Sequence, residues 1–213
     1  MNPLRTVASL AVALFLALVA GAIGAPAQPD PGSLVDRMAK VNGKLQSYTA
    51  TTHVDIAMHS FPFLSPALDG TYYFKQPDKQ AIVFNTVPAL AKEFQKVYPR
   101  LDPPGSWVSL YTISTFSSDA TTTTLRLVPK KHGRVAHLDV RVDNTTATPI
   151  HYTWSYEDGG SVDFDQQYAQ INGNFLVKSE SGKIDLPQYK ADVTSTFSNF
   201  KLNVPIEDKV FEG

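Results

Sequence analysis

Few side chains in this sequence could do chemistry, and their spacing argues against most of it. The histidines are His53, His59, His132, His137 and His151. His53 and His59 fall on the polar face of one expected strand, too far apart for both to reach a single metal ion, and no third ligand accompanies them at a usable spacing. They read as solvent-facing. Asp163-Phe164-Asp165 would put two carboxylates on one strand face, a pairing that acid–base catalysis or a metal could use. At the edge of a sheet, where this strand is expected, solvated charge is the ordinary explanation. Ser114, Ser117 and Ser118 lack the GxSxG elbow that would expose a nucleophile. Asn144-Thr145-Thr146 is a glycosylation sequon, used only in a eukaryotic secretory pathway. No catalytic residue, metal ligand or cofactor is expected.

The composition excludes further classes. Of 213 residues, 43% are hydrophobic and 18% charged, which describes a folded globular chain, most simply one domain. The 19 basic side chains are scattered and nearly balanced by 20 acidic ones, so no basic stripe for nucleic acid exists. There is no cysteine. Disulfides, thiol catalysis, cysteine-bound metals and a lipid-modified cysteine are excluded with it.

The positioning elements follow in chain order. Arg5 is the one charged residue before Asp30, and residues 7–23 (VASLAVALFLALVAGAI) are almost purely apolar. A basic start, an apolar run and small residues make a secretory signal peptide, with cleavage after Ala27 in Ala25-Pro26-Ala27. An uncleaved anchor is the alternative, because the run is close to the minimum spanning length of roughly 17 residues. The division is then a cleaved signal peptide over 1–27, a linker over 28–32 and a single domain over 33–213. Ser33 reads as an N-cap, and Leu34, Met38, Val41 and Leu45 recur at helical spacing. From Tyr48 to Met58 apolar and polar residues alternate, a long strand with one buried face.

Residues 69–85 (DGTYYFKQPDKQAIVFN) read as a hairpin: Asp69-Gly70 at the start, an aromatic strand, a turn at Gln76-Pro77-Asp78-Lys79, and a second strand. Aromatic side chains on both faces of a hairpin need something to cover the second face. The Phe61-Pro62-Phe63-Leu64 loop is unusually apolar for a connection. Pro88 opens a second helix with Leu90, Phe94 and Val97 on one face. Strands are then expected over Trp107–Phe116, Thr122–Val128, Val135–Val142, Ile150–Tyr156, Ser161–Phe164, Phe175–Ser179 and Tyr189–Phe197, with turns at Asp158-Gly159-Gly160 and Asn172-Gly173-Asn174.

This order of elements resembles the LolA/LolB-like family of periplasmic outer-membrane lipoprotein-sorting (lipoprotein carrier) proteins. The matching pieces are the helix and strand LVDRMAKVNGKLQSYTATTHVDI, the hairpin GTYYFKQPDKQAIVF, the succession LRLVPKKHGRVAHLDVRVDNTTATPIHYTWSYEDGG and the tail FSNFKLNVPIEDKVF. The resemblance implies an α+β, mainly β fold: a large curved antiparallel sheet forming an open half-barrel, with helices covering its concave face over an apolar cavity. It implies a non-enzymatic, exported carrier, periplasmic or secreted, that binds acyl chains of lipoproteins or free lipid, with envelope membrane proteins as candidate partners. One departure stands out. The family's best-studied carriers hold the lid with an arginine just before the turn proline, and here that place is Gln76, which cannot form the same charged hydrogen bonds.

On this reading Val54, Ile56, Met58, Tyr72, Phe74, Phe84, Leu90, Phe94, Val97, Trp107 and Trp154 are the candidates for cavity wall and lid. Phe61, Phe63 and Leu64 would form a flap at its mouth. The competing reading is an exported structural or envelope-sensor interaction module, with a filled core and no lipid cargo. The signal-peptide reading is directly testable: intact mass of the exported protein should start at Gln28, and a chain retaining residues 1–27 would support the membrane anchor.

Overall fold

The computed structural model describes residues 30–60, 65–86 and 102–212. Helix α1 (Pro31–Lys40) leads into strands β1 (Ser47–Met58), β2 (Ala67–Lys75) and β3 (Lys79–Phe84). Helix α2 (Pro104–Leu110) precedes β4 (Tyr111–Ser118), β5 (Thr122–Pro129), β6 (Val135–Asp143), β7 (Pro149–Tyr156), β8 (Ser161–Ile171), β9 (Asn174–Asp185) and β10 (Lys190–Leu202). A short 3-10 turn, Asp208–Phe211, follows. The strands form one antiparallel sheet in the order β3-β2-β1-β10-β9-β8-β7-β6-β5-β4, open at β3 and β4. This is the expected α+β, mainly β arrangement with an unclosed sheet. Register shifts in β1/β10, β4/β5, β6/β7 and β8/β9 are the irregularities that bend a sheet.

The alternation expected in β1 holds. Ala50, Thr52, Val54 and Met58 are buried, while Thr51, Asp55 and Ala57 are exposed. Cross-strand register carries this inner face across the sheet: Val54 lies opposite Leu68 and Ser195, Phe164 opposite Tyr152, and Leu125 opposite Val140. The inner face of β5–β8 is a filled core. Leu34, Val35 and Met38 of α1 and Trp107 of α2 pack with Leu125, Leu127, Leu138, Val140, Val142, Trp154 and Val162.

Several local expectations need correction. Asp30, not Ser33, caps α1: its carboxylate accepts from the Ser33 amide at 2.8 Å, and Pro31 supplies a preset φ at the first turn. The helix therefore starts inside the stretch read as a linker. It ends at Lys40, so Leu45 lies beyond it, although still buried. The stretch read as a strand from Trp107 to Phe116 is α2 followed by β4. Pro104 at the helix start and burial of Trp107 against α1 override the strand propensity of Trp107 and Val108. The Trp107 indole N–H donates to the Asp102 carbonyl at 2.6 Å, and the Tyr111 hydroxyl to the Asp102 carboxylate at 2.8 Å. Asp69-Gly70 lies within β2 instead of opening it. Strands β8 and β9 run well past the expected Phe164 and Ser179, and β8 is an interior strand, not an edge.

Two glycines on the inner face are fixed by close approach. A Cβ on Gly70 would sit 2.6 Å from the Val83 carbonyl oxygen and 3.0 Å from the Phe84 ring. On Gly182 it would sit 2.3 Å from the ring of Phe164, the residue opposite it in β8. Gly182→Ala should therefore destabilise the fold by roughly 1–3 kcal/mol through overpacking. Urea unfolding checks this, and Phe164→Leu in the same background should recover part of the loss.

Candidate functional site

The inner face divides into two regions of different chemistry. Beneath α1 and α2 it is filled by buried apolar side chains. Trp107 is fully buried and Trp154 nearly so, both in the core cluster. Towards β1, β2 and β3 the apolar side chains stay partly accessible: Tyr48, Ile56, Tyr72, Phe74, Ile82 and Phe84 are all half-buried. Tyr48 is the hub of this wing. Its ring stacks on Tyr72 at 5.5 Å between centroids and lies 5.4 Å from Phe74 and 6.3 Å from Phe200. Tyr72 meets Phe197 edge-on at 5.7 Å. Such pairs contribute about 0.5–1.5 kcal/mol each beyond area burial.

The expected site residues are thus spread over both regions. Val54 and Met58 are buried in β1, and Tyr72, Phe74 and Phe84 belong to the accessible aromatic wing. Leu90, Phe94 and Val97, and the flap residues Phe61, Phe63 and Leu64, lie outside the described residues.

A polar seam, absent from the sequence-based expectation, crosses the same face. Ser195 lies opposite Val54 in β1 and Glu180 in β9, and Glu180 lies opposite Gln166 in β8. The Gln166 amide donates to the Glu180 carboxylate at 2.5 Å, and the Tyr168 hydroxyl donates to the Gln166 carbonyl at 2.7 Å. The Tyr72 hydroxyl donates to Gln80 at 3.1 Å. Thr52, fully buried in β1, carries a hydroxyl with no hydrogen-bond partner among the described residues.

Electrostatics tie these groups together. Burial, then the proximity of the Glu180 charge, pushes the Tyr72 phenol up to about 12. Burial is likewise the main cause of the upward shifts of Tyr48, Tyr152 and Tyr168, and Glu180 raises all three further. The charge of one carboxylate is therefore felt by four phenols. The hydrogen-bonded turn Asn172-Gly173, with positive φ at both residues, pairs β8 with β9. A bulge that skips Lys178 then brings Glu180 opposite Gln166. The turn was legible in the sequence. The bulge was not, and without it the carboxylate would point to the other face.

The outer face is charged and solvated. His53 Nδ1 lies 2.7 Å from Asp69, and His59 Nε2 lies 2.8 Å from Asp192. Asp69 is the leading cause that raises the His53 pKa. Asp163 and Asp165 join His151 and Thr153. His151 Nδ1 is 2.8 Å from Asp165 and its Nε2 is 3.0 Å from the Thr153 hydroxyl, which donates to Asp163 at 2.7 Å. The threonine's single proton is thus committed to Asp163 and not to the imidazole, so the string does not make an activated nucleophile. Among the described residues no cluster of three or more His, Cys, Asp or Glu could hold a metal. The exposed ring of Phe116 is covered by Arg126, 4.0 Å above it and bidentate to Asp139 at 2.7 and 2.6 Å.

Gln76 lies at the turn of the hairpin, where its backbone N–H donates to the Gln46 carbonyl at 2.9 Å. A cleft of about 290 Å³ there is bordered by Ser47, Lys75, Gln76 and residues 204–206. Lys75 anchors the C-terminal segment, donating to the Ile206 carbonyl at 3.1 Å and to Asp208 at 2.6 Å.

No protein-family model matches the sequence, and no curated protein does. Solved structures do match. A DUF1329 family protein from Desulfovibrio piger aligns with 86% of this chain and 98% of its own at 14% identity, TM-score 0.64. An outer membrane lipoprotein-sorting protein domain from Vibrio parahaemolyticus, described as putative in its own report, aligns over 85% and 95% at 10% identity, TM-score 0.67. A LolA superfamily protein from Nitrosomonas europaea aligns over 86% and 98% at 11% identity, TM-score 0.55. The chain has a LolA-like fold. Among the described residues no helix is long and apolar enough to cross a membrane.

The tyrosine cluster makes a pH prediction. A phenol with a raised pKa contributes stability that is complete below the unfolded value of about 10 and is lost as pH rises through the folded value. For Tyr72 that loss ends at about 12. Alkaline titration followed by tyrosinate absorbance should show a late-ionising group of phenols. Glu180→Gln should move that group down without restoring ordinary behaviour, since burial is the larger cause.

Proposed function

We propose that the protein is an exported, non-enzymatic carrier that shields acyl chains of lipoproteins or free lipids from water against the inner face of its sheet. The observation that carries this reading is the half-buried aromatic wing of Tyr48, Tyr72, Phe74, Ile82 and Phe84 beside a core that is filled elsewhere. A wing of partly accessible rings offers apolar area to a ligand, at roughly 25 cal/mol per Å² removed from water. The LolA-like fold and the lipoprotein-sorting description of one structural neighbour agree with it. Envelope membrane proteins are the natural donors and acceptors of such cargo, and the periplasm or exterior its place of work.

Native mass spectrometry of the exported protein, purified without detergent, tests the reading. Adducts of acyl-chain mass support a carrier. A bare mass that persists after incubation with lipid vesicles favours the interaction module instead. Phe74→Ala and Phe84→Ala should each lower the lipid-bound fraction while costing less stability than Leu127→Ala, expected to lose roughly 2–5 kcal/mol from the filled core.

A further inference from the structure

An open sheet ends in two edge strands, and the two edges of this one are treated differently. At β3, Lys79 reaches Asp208 at 3.1 Å and its Nζ lies 6.0 Å from the Phe211 ring, so the C-terminal turn covers part of that edge. The other edge lacks the usual protection. β4 (YTISTFSS) contains no charged residue, no proline and no glycine. The Lys130 N–H donates to the Leu110 carbonyl at 2.9 Å, which sets the phase of the β4/β5 ladder. Thr112 and Ser114 therefore turn their backbone groups towards β5, and Tyr111 and Ile113 turn theirs away. Pro129 opposite Tyr111 agrees, since it has no N–H to give. The Tyr111 N–H closes the last turn of α2 on the Trp107 carbonyl, so Ile113 is the natural centre of the edge. Apolar side chains flank it. Among the described residues five large hydrophobic side chains are exposed, and four of them, Val108, Leu110, Phe116 and Val128, lie on α2, β4 and β5 at this end of the sheet.

We propose that β4 is an interface on which a second copy of this chain pairs edge to edge, antiparallel, about a two-fold axis at Ile113. The strand itself supplies the argument for that occupant. A two-fold at Ile113 sets Thr112 opposite Ser114 of the second copy, and Leu110 opposite its Phe116. Every side chain in that row is uncharged, and each end is an apolar pair. Val128, exposed and opposite Thr112, widens the apolar end on each copy. Arg126, opposite Ser114 on the same face, is held by both oxygens of Asp139, so the copies meet without like-charge repulsion. A contact of this self-complementary kind closes at two copies. Pairing β4 with the β3 of another copy would run on without closing, and the partly covered β3 edge disfavours it. The inference is independent of the carrier reading, because β4 lies at the opposite end of the sheet from the aromatic wing.

Sedimentation equilibrium of the exported protein from about 1 to 100 μM, a range that resolves micromolar association, tests the interface. The expected result is a monomer–dimer equilibrium with no larger species. The double variant Thr112→Lys with Ser114→Lys sets lysine opposite lysine at both pairs and should weaken dimerisation at least about tenfold. Mixing it with the double variant Thr112→Asp with Ser114→Asp should restore a dimer that holds one copy of each. Both positions are exposed, and urea unfolding checks that the variants fold. A wild type that stays monomeric at about 100 μM overturns the proposal, as does a dimer unchanged in a folded lysine variant. Mixed variants that stay apart overturn the two-fold at Ile113, and species that grow beyond the dimer overturn the closed contact. Hydrogen exchange of the wild type alone decides the matter if the variants fail to fold. The Ile113 amide should exchange more slowly in the concentrated sample than in the dilute one, and equal exchange in a dimeric sample removes β4 from the interface.

Discussion

The pairing of β1 with β10 joins two meanders that otherwise share no strand. β1, β2 and β3 form one, and β4 to β10 the other. Because the partners lie at opposite ends of the domain, this contact closes the longest loop in the chain. The entropic cost of such closure grows only slowly with length, but it must be met before the contact stabilises anything. Its register, Thr52 opposite Phe197 and Val54 opposite Ser195, decides what faces what on the inner surface. A slip of one residue would turn the aromatic wing to the face of the sheet opposite the core.

The registers of β8 with β9 and of β2 with β3 are reinforced by close approaches that only glycine permits. The Phe164 ring lies over Gly182 and the Phe84 ring over Gly70, each across a strand boundary. A ring over a glycine fills the space that a side chain would otherwise occupy and lets neighbouring strands curve without a void. The sheet therefore gains its shape from bulges and ring-over-glycine contacts together, and β8/β9 carries both. Both devices keep the inner face continuous from the filled core to the aromatic wing.

The fold was legible where alternation was strong. β1, β5, β6 and β7 repeat with period two, and their boundaries differ little from expectation. The turns at Gly159 and at Asn172-Gly173 carry the positive φ values their sequences require. What escaped was set by tertiary packing or by polar strands. Trp107 and Val108 favour strand locally, yet Pro104 and the contact with α1 make them helical. The second halves of β8 and β9 read Asp165-Gln166-Gln167 and Glu180-Ser181-Gly182, which no hydrophobic period identifies. The polar seam lies in these segments. The carrier resemblance directed attention to apolar residues, while the residues that distinguish this inner face are Gln166, Tyr168 and Glu180. Counting outward from the Asn172-Gly173 turn would have paired the strands, but a bulge one residue long decides which face Glu180 occupies, and nothing in the sequence announces it.

The two regions of the inner face also differ in how completely they are enclosed. Leu125, Leu127, Leu138 and Val140 are held at close-packed density under α1 and α2, and a change there is felt as lost stability. The aromatic wing is held by ring pairs and by a hydrogen-bonded polar chain with partial access to solvent. Ile56 and Phe84 pack against the filled core, while Tyr48, Tyr72 and Phe197 are one another's partners. The strands that carry Tyr72 and those that carry Leu127 meet in the sheet only through β1 and β10, which lie between the two regions.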